Sequence, residues 1–488
     1  MTRANVTSEV QKPSAVPNPH RWKALMVLSL AQFLVILDTS IIGVALPTIQ
    51  QHFGYSQSEL QWIFSAYVIV FGALLLLGGR LSDIVGQRKI FVIGFGILTG
   101  ASILAGLAPT GDILIAARAL QGIGAAFVAP AAMSMVLNLF TMPDERNKAM
   151  GIWGAAAPAG GTAGVFLGGM ITAYFDWSWV FLINVPIGIA VLALARPLLP
   201  QGLKKKGKVD FAGATAIATA LIMLVYAIVT ANDNGWMSIS TIGLALGSVA
   251  LLGAFVAIQK HSKSPLIPPA IFKVHNLKSS NVVMALLGAA WIPMWFFLNL
   301  YLQQVHGYGP FESGLALLPM TAAIMILMVG ASSRIISRIG VKTSMVAGLS
   351  LLAVAMILFS GMPSSGGSLV IHVLPASLIA AAGMSLAYIP VLMSAVSHAK
   401  QEESGLASGI VNTSYQIGSA LGLAIIVAIA SSQLPTGNYG VSTIEGLNGF
   451  QIAFIGAAMI SGLASVFALL AIRKSNSPSE KEAPMAAA

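Results

Sequence analysis

Fourteen apolar runs, each long enough to cross a bilayer, decide most of what this chain can fold into. They lie at about 23–47, 59–79, 89–108, 112–137, 147–171, 178–199, 210–231, 239–259, 278–302, 312–332, 343–361, 369–394, 404–431 and 450–472. About 20 apolar residues span the hydrocarbon core as a helix. The runs are continuous rather than alternating, which argues against a membrane barrel. Only 9% of the 488 residues are charged, against about 25% in soluble domains. The fold class expected is therefore an all-α polytopic membrane protein. Residues 1–21 are polar and precede the first run, which is long and has no small-residue cleavage site, so it reads as a retained helix.

The chain has no cysteine, which excludes disulfides, thiolate metal sites and iron–sulfur clusters. The net charge of +10 need not mean nucleic acid. Its Lys and Arg residues fall in alternate short loops, as the positive-inside rule describes. With the N-terminus in the cytoplasm, the inner loops hold Arg80, Arg88 and Lys89, then Arg146 and Lys148, Arg196 and Lys204–Lys208, Lys260–Lys278, Arg334–Lys342 and Lys400. The outer loops hold neither Lys nor Arg. Both termini are then expected inside. Trp22, Trp62, Trp153, Trp177, Trp179 and Trp236 fall near run ends, as interfacial anchors do, whereas Trp291 and Trp295 fall mid-run.

One loop repeats. Gly79-Arg-Leu-Ser-Asp-Ile-Val-Gly-Gln-Arg88 follows the second run, and Ser333-Arg-Ile-Ile-Ser-Arg-Ile-Gly-Val-Lys342 follows the tenth. Arg80 matches Arg334, Gly86 matches Gly340 and Arg88 matches Lys342. Two six-helix halves with two helices inserted between them explain that spacing. The expected division is a tail at 1–22, a first bundle at 23–200, a basic linker and inserted pair at 201–260, a second bundle at 261–472 and a tail at 473–488. Repeated halves about a midplane site are a transporter architecture.

The chemistry centres on Asp38, a carboxylate inside the first run. Such a residue costs about 2.5–3.5 kcal/mol on insertion scales, so it faces protein or water and marks function by default. Burial raises a carboxylate pKa and a nearby cation lowers it, so a site that alternates between those settings can load and release a proton. The competing reading is a structural Asp hydrogen-bonded to a neighbouring helix. Arg118 is the one Lys or Arg set well inside a run rather than at or near its end. It lies about 9 Å in from its outer end and Asp38 about 14 Å in from its own, so contact in the outer half of the membrane is expected. Arg118 could instead snorkel to the surface. Gln121 shares the Arg118 face at i+3.

Several further motifs stand at matching positions. These are Leu37-Asp-Thr-Ser-Ile-Ile-Gly-Val-Ala-Leu-Pro47, Arg118-Ala-Leu-Gln-Gly-Ile-Gly124 and the Gly79–Lys89 loop. A glycine series, Gly151, Gly160, Gly164, Gly168 and Gly169, occupies the fifth run. Trp177-Ser-Trp-Val-Phe-Leu-Ile-Asn-Val-Pro186, Tyr301-Leu-Gln-Gln304 and Asn412-Thr-Ser-Tyr-Gln-Ile-Gly418 complete the set. Together they resemble the fourteen-helix drug/proton antiporter branch of the major facilitator superfamily over residues 22–472. The resemblance implies two six-helix bundles plus two inserted helices, alternating access, no enzymatic activity, no cofactor and a bacterial inner membrane. It makes Asp38 and Arg118 the proton-coupling pair. It makes Gly79, Arg80, Asp83, Gly86, Arg88 and Lys89 a cytoplasmic latch between the halves, although a topogenic charge cluster would look the same. It makes the five glycines an antiporter motif, here with Val165 where the pattern has proline. That departure leaves export and import both open.

Trp291, Trp295, Asn299 and Gln303 recur every four residues, and Asn412, Tyr415 and Gln416 cluster on a later run. With Gln121 they are candidates for a substrate cavity, since such pockets are apolar with a few polar groups; helix–helix packing is the competing reading. The expected partners are protons, a small hydrophobic or cationic solute and anionic lipid near Lys204–Lys208, with no nucleic acid, the protein acting as a monomer. The expected function is export of drugs or metabolites in exchange for protons. Narrow-specificity metabolite transport is the nearest alternative, and a non-transporting receptor on the same scaffold a more distant one. Gly94-Phe-Gly-Ile-Leu-Thr-Gly100 lacks the spacing of a nucleotide loop, and no Walker-type sequence occurs.

Overall fold

The computed structural model describes residues 19–202, 208–262, 264–363, 368–397, 404–431 and 444–473. Among them, thirteen helices are long and apolar enough to cross a membrane. In chain order the spanning helices are α1 (Arg21–Phe53), α2 (Trp62–Val85), α3 (Gln87–Gly106), α4 (Gly111–Leu139), α5 (Pro143–Tyr174), α6 (Trp179–Leu198) and α7 (Phe211–Asn234). There follow α8 (Ile239–His261), α9 (Leu277–Val305), α10 (Pro310–Ala331), α11 (Val341–Ser360), α12 (Leu369–Val396), α13 (Ser404–Ser431) and α14 (Ile444–Ala471). The helix outside the thirteen is α5, which is 32 residues long and rich in glycine and alanine. Each of the fourteen runs read from the sequence is thus a helix.

Helix ends follow local chemistry. Gly54 closes α1 at φ 70°, its N–H returning to the Gln50 carbonyl. Asp210 and Ser238 cap the starts of α7 and α8 by accepting from Gly213 N and Thr241 N. Pro310 opens α10, and the Glu312 carboxylate accepts from the Gly309 N–H at 3.0 Å. Glu312 therefore serves a helix start.

Packing repeats between the halves. α1 lies along α5 as α9 lies along α13; α3 lies along α4 as α11 lies along α12. Gly86 and Gly340, matched in the repeated loop, both take positive φ, at 111° and 84°, where only glycine is unstrained. Gly94 and Gly124 approach each other backbone to backbone across α3 and α4. Gly348 and Gly383 do the same across α11 and α12. The halves meet where α2 crosses α13 and, symmetrically, where α5 crosses α10. In the inserted pair, α7 packs on α2 and α13 while α8 packs on α7. The fold is all-α, two six-helix bundles with an inserted pair.

One end of the bundle, here the terminal face, carries the start of α1 and the end of α14. There Arg21 pairs with Glu145 at 2.7 Å, and Asn276 exchanges hydrogen bonds with the Arg473 backbone. At the other end, the far face, the halves are joined by hydrogen bonds. Gln303 Nε2 donates to the Val44 carbonyl at 2.7 Å, and Gln304 Nε2 to Gln50 Oε1 at 2.9 Å. Both glutamines lie on a π-helical turn, Tyr301–Val305, that ends α9.

The tryptophan pattern needs one correction. Trp179 and Trp236 are exposed as anchors should be, at 52% and 54%. Trp177 is buried, with its ring between His52, Phe53 and Phe181.

Candidate functional site

Asp38 and Arg118 are both fully buried and in direct contact, Arg118 Nη1 donating to Asp38 Oδ2 at 2.6 Å. An uncompensated carboxylate would be prohibitively costly there, and a partner alone does not suffice unless the remaining lone pairs and protons are also bonded. The surroundings supply those bonds to both carboxylate oxygens and to Arg118 Nε and Nη1, while Arg118 Nη2 is buried without a hydrogen-bond partner. Gln121 Nε2 donates to Asp38 Oδ1 at 2.9 Å, and Asn184 Nδ2 donates to the same oxygen at 2.6 Å. Arg118 Nη1 also reaches Gln121 Oε1 at 2.7 Å, and Arg118 Nε donates to the Ile63 carbonyl at 2.9 Å. The guanidinium lies over the Tyr67 ring, 4.5 Å from its centroid, a cation–π contact. Gln121 Nε2 is held further by Ser102 Oγ at 2.8 Å.

Five helices build this cluster: α1 gives Asp38, α2 Tyr67 and the Ile63 carbonyl, α3 Ser102, α4 Arg118 and Gln121, and α6 Asn184. The Asn184 position has a local cause. Pro186 has no N–H to return to the Leu182 carbonyl, and α6 is interrupted between Leu182 and Asn184. Asn184, the first residue after it, is fully buried in the bundle. The depth expected for Asp38 also changes. With α1 running on to Phe53, Asp38 lies near the middle of its helix rather than towards one end.

The glycines of α5 line the same stretch of α1. A methyl group at Gly160 would lie 2.4 Å from the Phe33 carbonyl oxygen, one at Gly164 2.8 Å from Ser40 Cβ, and one at Gly168 2.6 Å from the Ile41 carbonyl oxygen. Gly169 faces the other half, where a methyl would lie 2.7 Å from the Pro310 carbonyl oxygen. Gly151 has open space around it. Val165, at the position of the pattern's proline, is fully buried, and its carbonyl faces Gly314 of α10.

The Gly79–Lys89 loop lies at the terminal face. Arg88 Nη1 donates to the Arg196 and Leu199 carbonyls at 3.1 and 3.2 Å, holding the end of α6 in its own half rather than reaching the other. Gly86 makes the turn, Arg80 and Asp83 are half-buried and Lys89 is exposed. The close approach to α4 is made by Gly78, where a methyl would lie 2.0 Å from the Ala126 carbonyl oxygen; Gly79 has ordinary clearance.

The residues expected to line a substrate cavity separate into two groups. Gln121 belongs to the Asp38 cluster, with both amide atoms engaged. Trp295 and Asn299 are buried beside Gly43 of α1, and Trp291 stacks on Trp295 with ring centroids 6.3 Å apart and planes 15° from parallel. Trp291, Gln303, Asn412, Tyr415 and Gln416 are half-buried. Asn412 Oδ1 accepts from the Tyr388 hydroxyl at 3.1 Å, and Tyr388 meets Tyr415 edge to face. Gln416 packs against Gly72 of α2. Of the lysines expected at anionic lipid, Lys208 is exposed and Lys204–Lys206 lie outside the described residues.

Beyond the spanning segments, the far face carries acids. Burial, then the charges of Asp112 and Glu59, push the Tyr55 phenol up to about 12. Burial alone would raise the Asp176 carboxyl, but hydrogen bonds from Ser178 and the charge of His52 outweigh it and hold the group below the usual carboxylate range.

Residues 28–423 match the family model described as Major Facilitator Superfamily. The chain is 34% identical to the puromycin resistance protein of Streptomyces alboniger, over 93% of this chain and 92% of that one. It is 35% identical to the cephamycin export protein of Amycolatopsis lactamdurans, over 89% of each. A multidrug resistance protein of Mycobacterium tuberculosis is 30% identical over 84% of this chain and 76% of its own length. Among solved structures, a peptide transporter in complex with sulfate superposes with a TM-score of 0.68 at 14% identity, covering 92% of this chain and 94% of that one. A human organic anion transporter gives 0.64 at 16%, covering 92% and 100%. Those distant structures share the fold. The matched family model and the near-full-length relatives agree with the fourteen helices and the repeated halves: this chain belongs to the Major Facilitator Superfamily of transporters, in the fourteen-helix branch of the resistance and export proteins it resembles.

Proposed function

We propose that this transporter exports hydrophobic or cationic solutes, drugs or metabolites, in exchange for protons, and that Asp38 carries the proton. The observation that carries this reading is the fully enclosed Asp38–Arg118 pair on the segment of α1 that the α5 glycines grip. Because α5 also seats Gly169 against α10, movement between the halves bears on the helix that holds the carboxylate. Protonation of Asp38 removes the charge that fixes Arg118, and a state open to the other side releases the proton again. One charge moved across 100 mV supplies about 2.3 kcal/mol. The resistance and export relatives support outward transport and a drug-like solute.

The same reading places both termini in the cytoplasm, from the absence of Lys and Arg in the far-face loops. The halves then divide near 200 and 260, with α7 and α8 between them. Trp291, Gln303, Asn412, Tyr415 and Gln416 face the solute path, and Arg80 and Asp83 act in the latch. Lys208 and the lysines before it meet anionic lipid.

The test is dye transport in everted membrane vesicles with an imposed proton gradient. Wild-type protein should concentrate dye while protons leave, and Asp38→Asn should reach the membrane normally yet fail to concentrate it. Uphill, proton-linked transport at full rate by Asp38→Asn would refute the assignment.

A further inference from the structure

The side chains around Asp38 satisfy its ionised form, in which both oxygens only accept. The neutral acid is a different problem, because its hydroxyl must donate. Oδ2 faces the Arg118 guanidinium, so the proton belongs on Oδ1, the oxygen that receives Gln121 and Asn184. Gln121 cannot turn its carbonyl towards that hydroxyl. Its Oε1 is held by Arg118 Nη1, and its Nε2 is held by Ser102 as well as Asp38. Asn184 is placed differently. Its Nδ2 bonds Asp38, and its Oδ1 is buried without a hydrogen-bond partner.

We infer that Asn184 is the positioning residue that lets the site hold both protonation states: its amide donates to ionised Asp38 and rotates by half a turn to accept from protonated Asp38. This rests on Asp38 being the proton carrier. A hydronium ion gives up one O–H bond as the Asp38 Oδ1–H bond forms, leaving water; no other covalent bond changes, and Asn184 Oδ1 takes the place of its Nδ2 beside Asp38. The half-turn exchanges one bond for another, since Nδ2 gives up Asp38 as Oδ1 gains it. Asn184 thus keeps one bond to Asp38 in each protonation state, whereas a fixed amide would lose it on protonation, at the cost of an unsatisfied buried group. No hydrogen bond to Asn184 Oδ1 opposes that turn. The other charged or titratable groups facing Asp38 are Arg118 from α4 and, beyond it, Tyr67 from α2. α5 presents Gly160, Gly164 and Gly168 to this part of α1, and α9 presents Trp295 and Asn299. Neither set titrates.

The experiment is infrared difference spectroscopy of the intact protein in lipid between high and low pH, with asparagine carrying a 13C side-chain carbonyl. Acidification should produce the carboxylic-acid band of Asp38, identified by its loss in Asp38→Asn, together with a shifted asparagine amide band. In Asn184→Leu, which keeps the volume but neither donates nor accepts, the amide change should vanish and the acid band should move to higher wavenumber. The ionised form loses the stronger, charge-assisted bond, so the protonation midpoint should move upwards. In Asn184→Thr a hydroxyl serves both roles, and the midpoint should return towards wild type. A wild-type spectrum with no asparagine band change on acidification overturns the inference, even should Asn184→Leu fail to fold. An unshifted midpoint in folded Asn184→Leu overturns it too. In both cases, loss of coupled transport in Asp38→Asn would leave Asp38 as the carrier. Absence of any Asp38 acid band, with coupling intact in Asp38→Asn, would instead remove the carrier itself.

Discussion

Arg118 makes bonds in three directions, to Asp38, to Gln121 and to the Ile63 carbonyl, and covers the Tyr67 ring. A planar five-donor fork can do this; a lysine ammonium on a flexible stem cannot match both the carboxylate and the sideways carbonyl. Arg118→Ala should therefore strand a buried carboxylate, at a cost of about 3–5 kcal/mol. The expected outcome is a markedly lower melting temperature in detergent and loss of pH-dependent transport, and Arg118→Lys should recover only part of either. A thermal-shift series from pH 5 to 8 with vesicle transport alongside checks both. Asp38 and Arg118 stand out in the sequence because a charge inside an apolar run is costly. Gln121 is legible only as a polar residue on the Arg118 face; its engagement with Asp38, Arg118 and Ser102 is a matter of packing. Asn184, Ser102 and Tyr67 carry no such mark in the sequence. A lone amide, hydroxyl or phenol inside a helix carries no comparable cost, and which ones converge is decided by how the helices are rotated against one another.

At the scale of elements, the seam between α1 and α5 depends on the absence of side chains along one α5 face. Gly160, Gly164 and Gly168 meet backbone or Cβ atoms of α1, which cannot rotate away as a flexible side-chain tip would. Gly160→Val should force the two helices apart, a strain of about 1–3 kcal/mol for overpacking, and displace the Asp38 segment. Transport should fall by an order of magnitude or more with membrane insertion intact. Gly151→Val, in the same motif but facing open space, should transport like wild type. Equal losses in both variants would mean that the motif acts through helix flexibility rather than close approach. The five glycines share one spacing pattern, so the sequence marks them as a set. Only the packing separates the four that touch a neighbouring helix from the one that does not. The repeated loop shows the opposite balance: Gly86 and Gly340 were matched by position, and their shared left-handed backbone follows from that match.

For the whole molecule, the proposed alternating access requires the far-face contacts between the halves to break once per cycle. Those contacts include two glutamines on one π-helical turn, Gln303 on the Val44 carbonyl and Gln304 on Gln50. Such turns break the regular backbone ladder and are frequent at functional sites. Two hydrogen bonds of about 0.5–1.5 kcal/mol each bias a two-state equilibrium by roughly 5- to 150-fold without fixing it, which suits a gate that must open. Gln303→Leu with Gln304→Leu should therefore enrich the state open at the far face. The native chain has no cysteine, so an introduced pair reports without background. Gln50→Cys with Gln304→Cys places two thiols behind the amides that now touch, and a short bis-methanethiosulfonate cross-linker bridging them should lock the far face shut. Solute uptake in everted vesicles should then stop, and it should resume on reduction. Binding from the terminal face should persist in the locked protein, because closing one side leaves the other reachable. Transport that continued at the wild-type rate after complete cross-linking would mean that the halves do not separate at this seam, and the gate would have to be sought where α5 crosses α10.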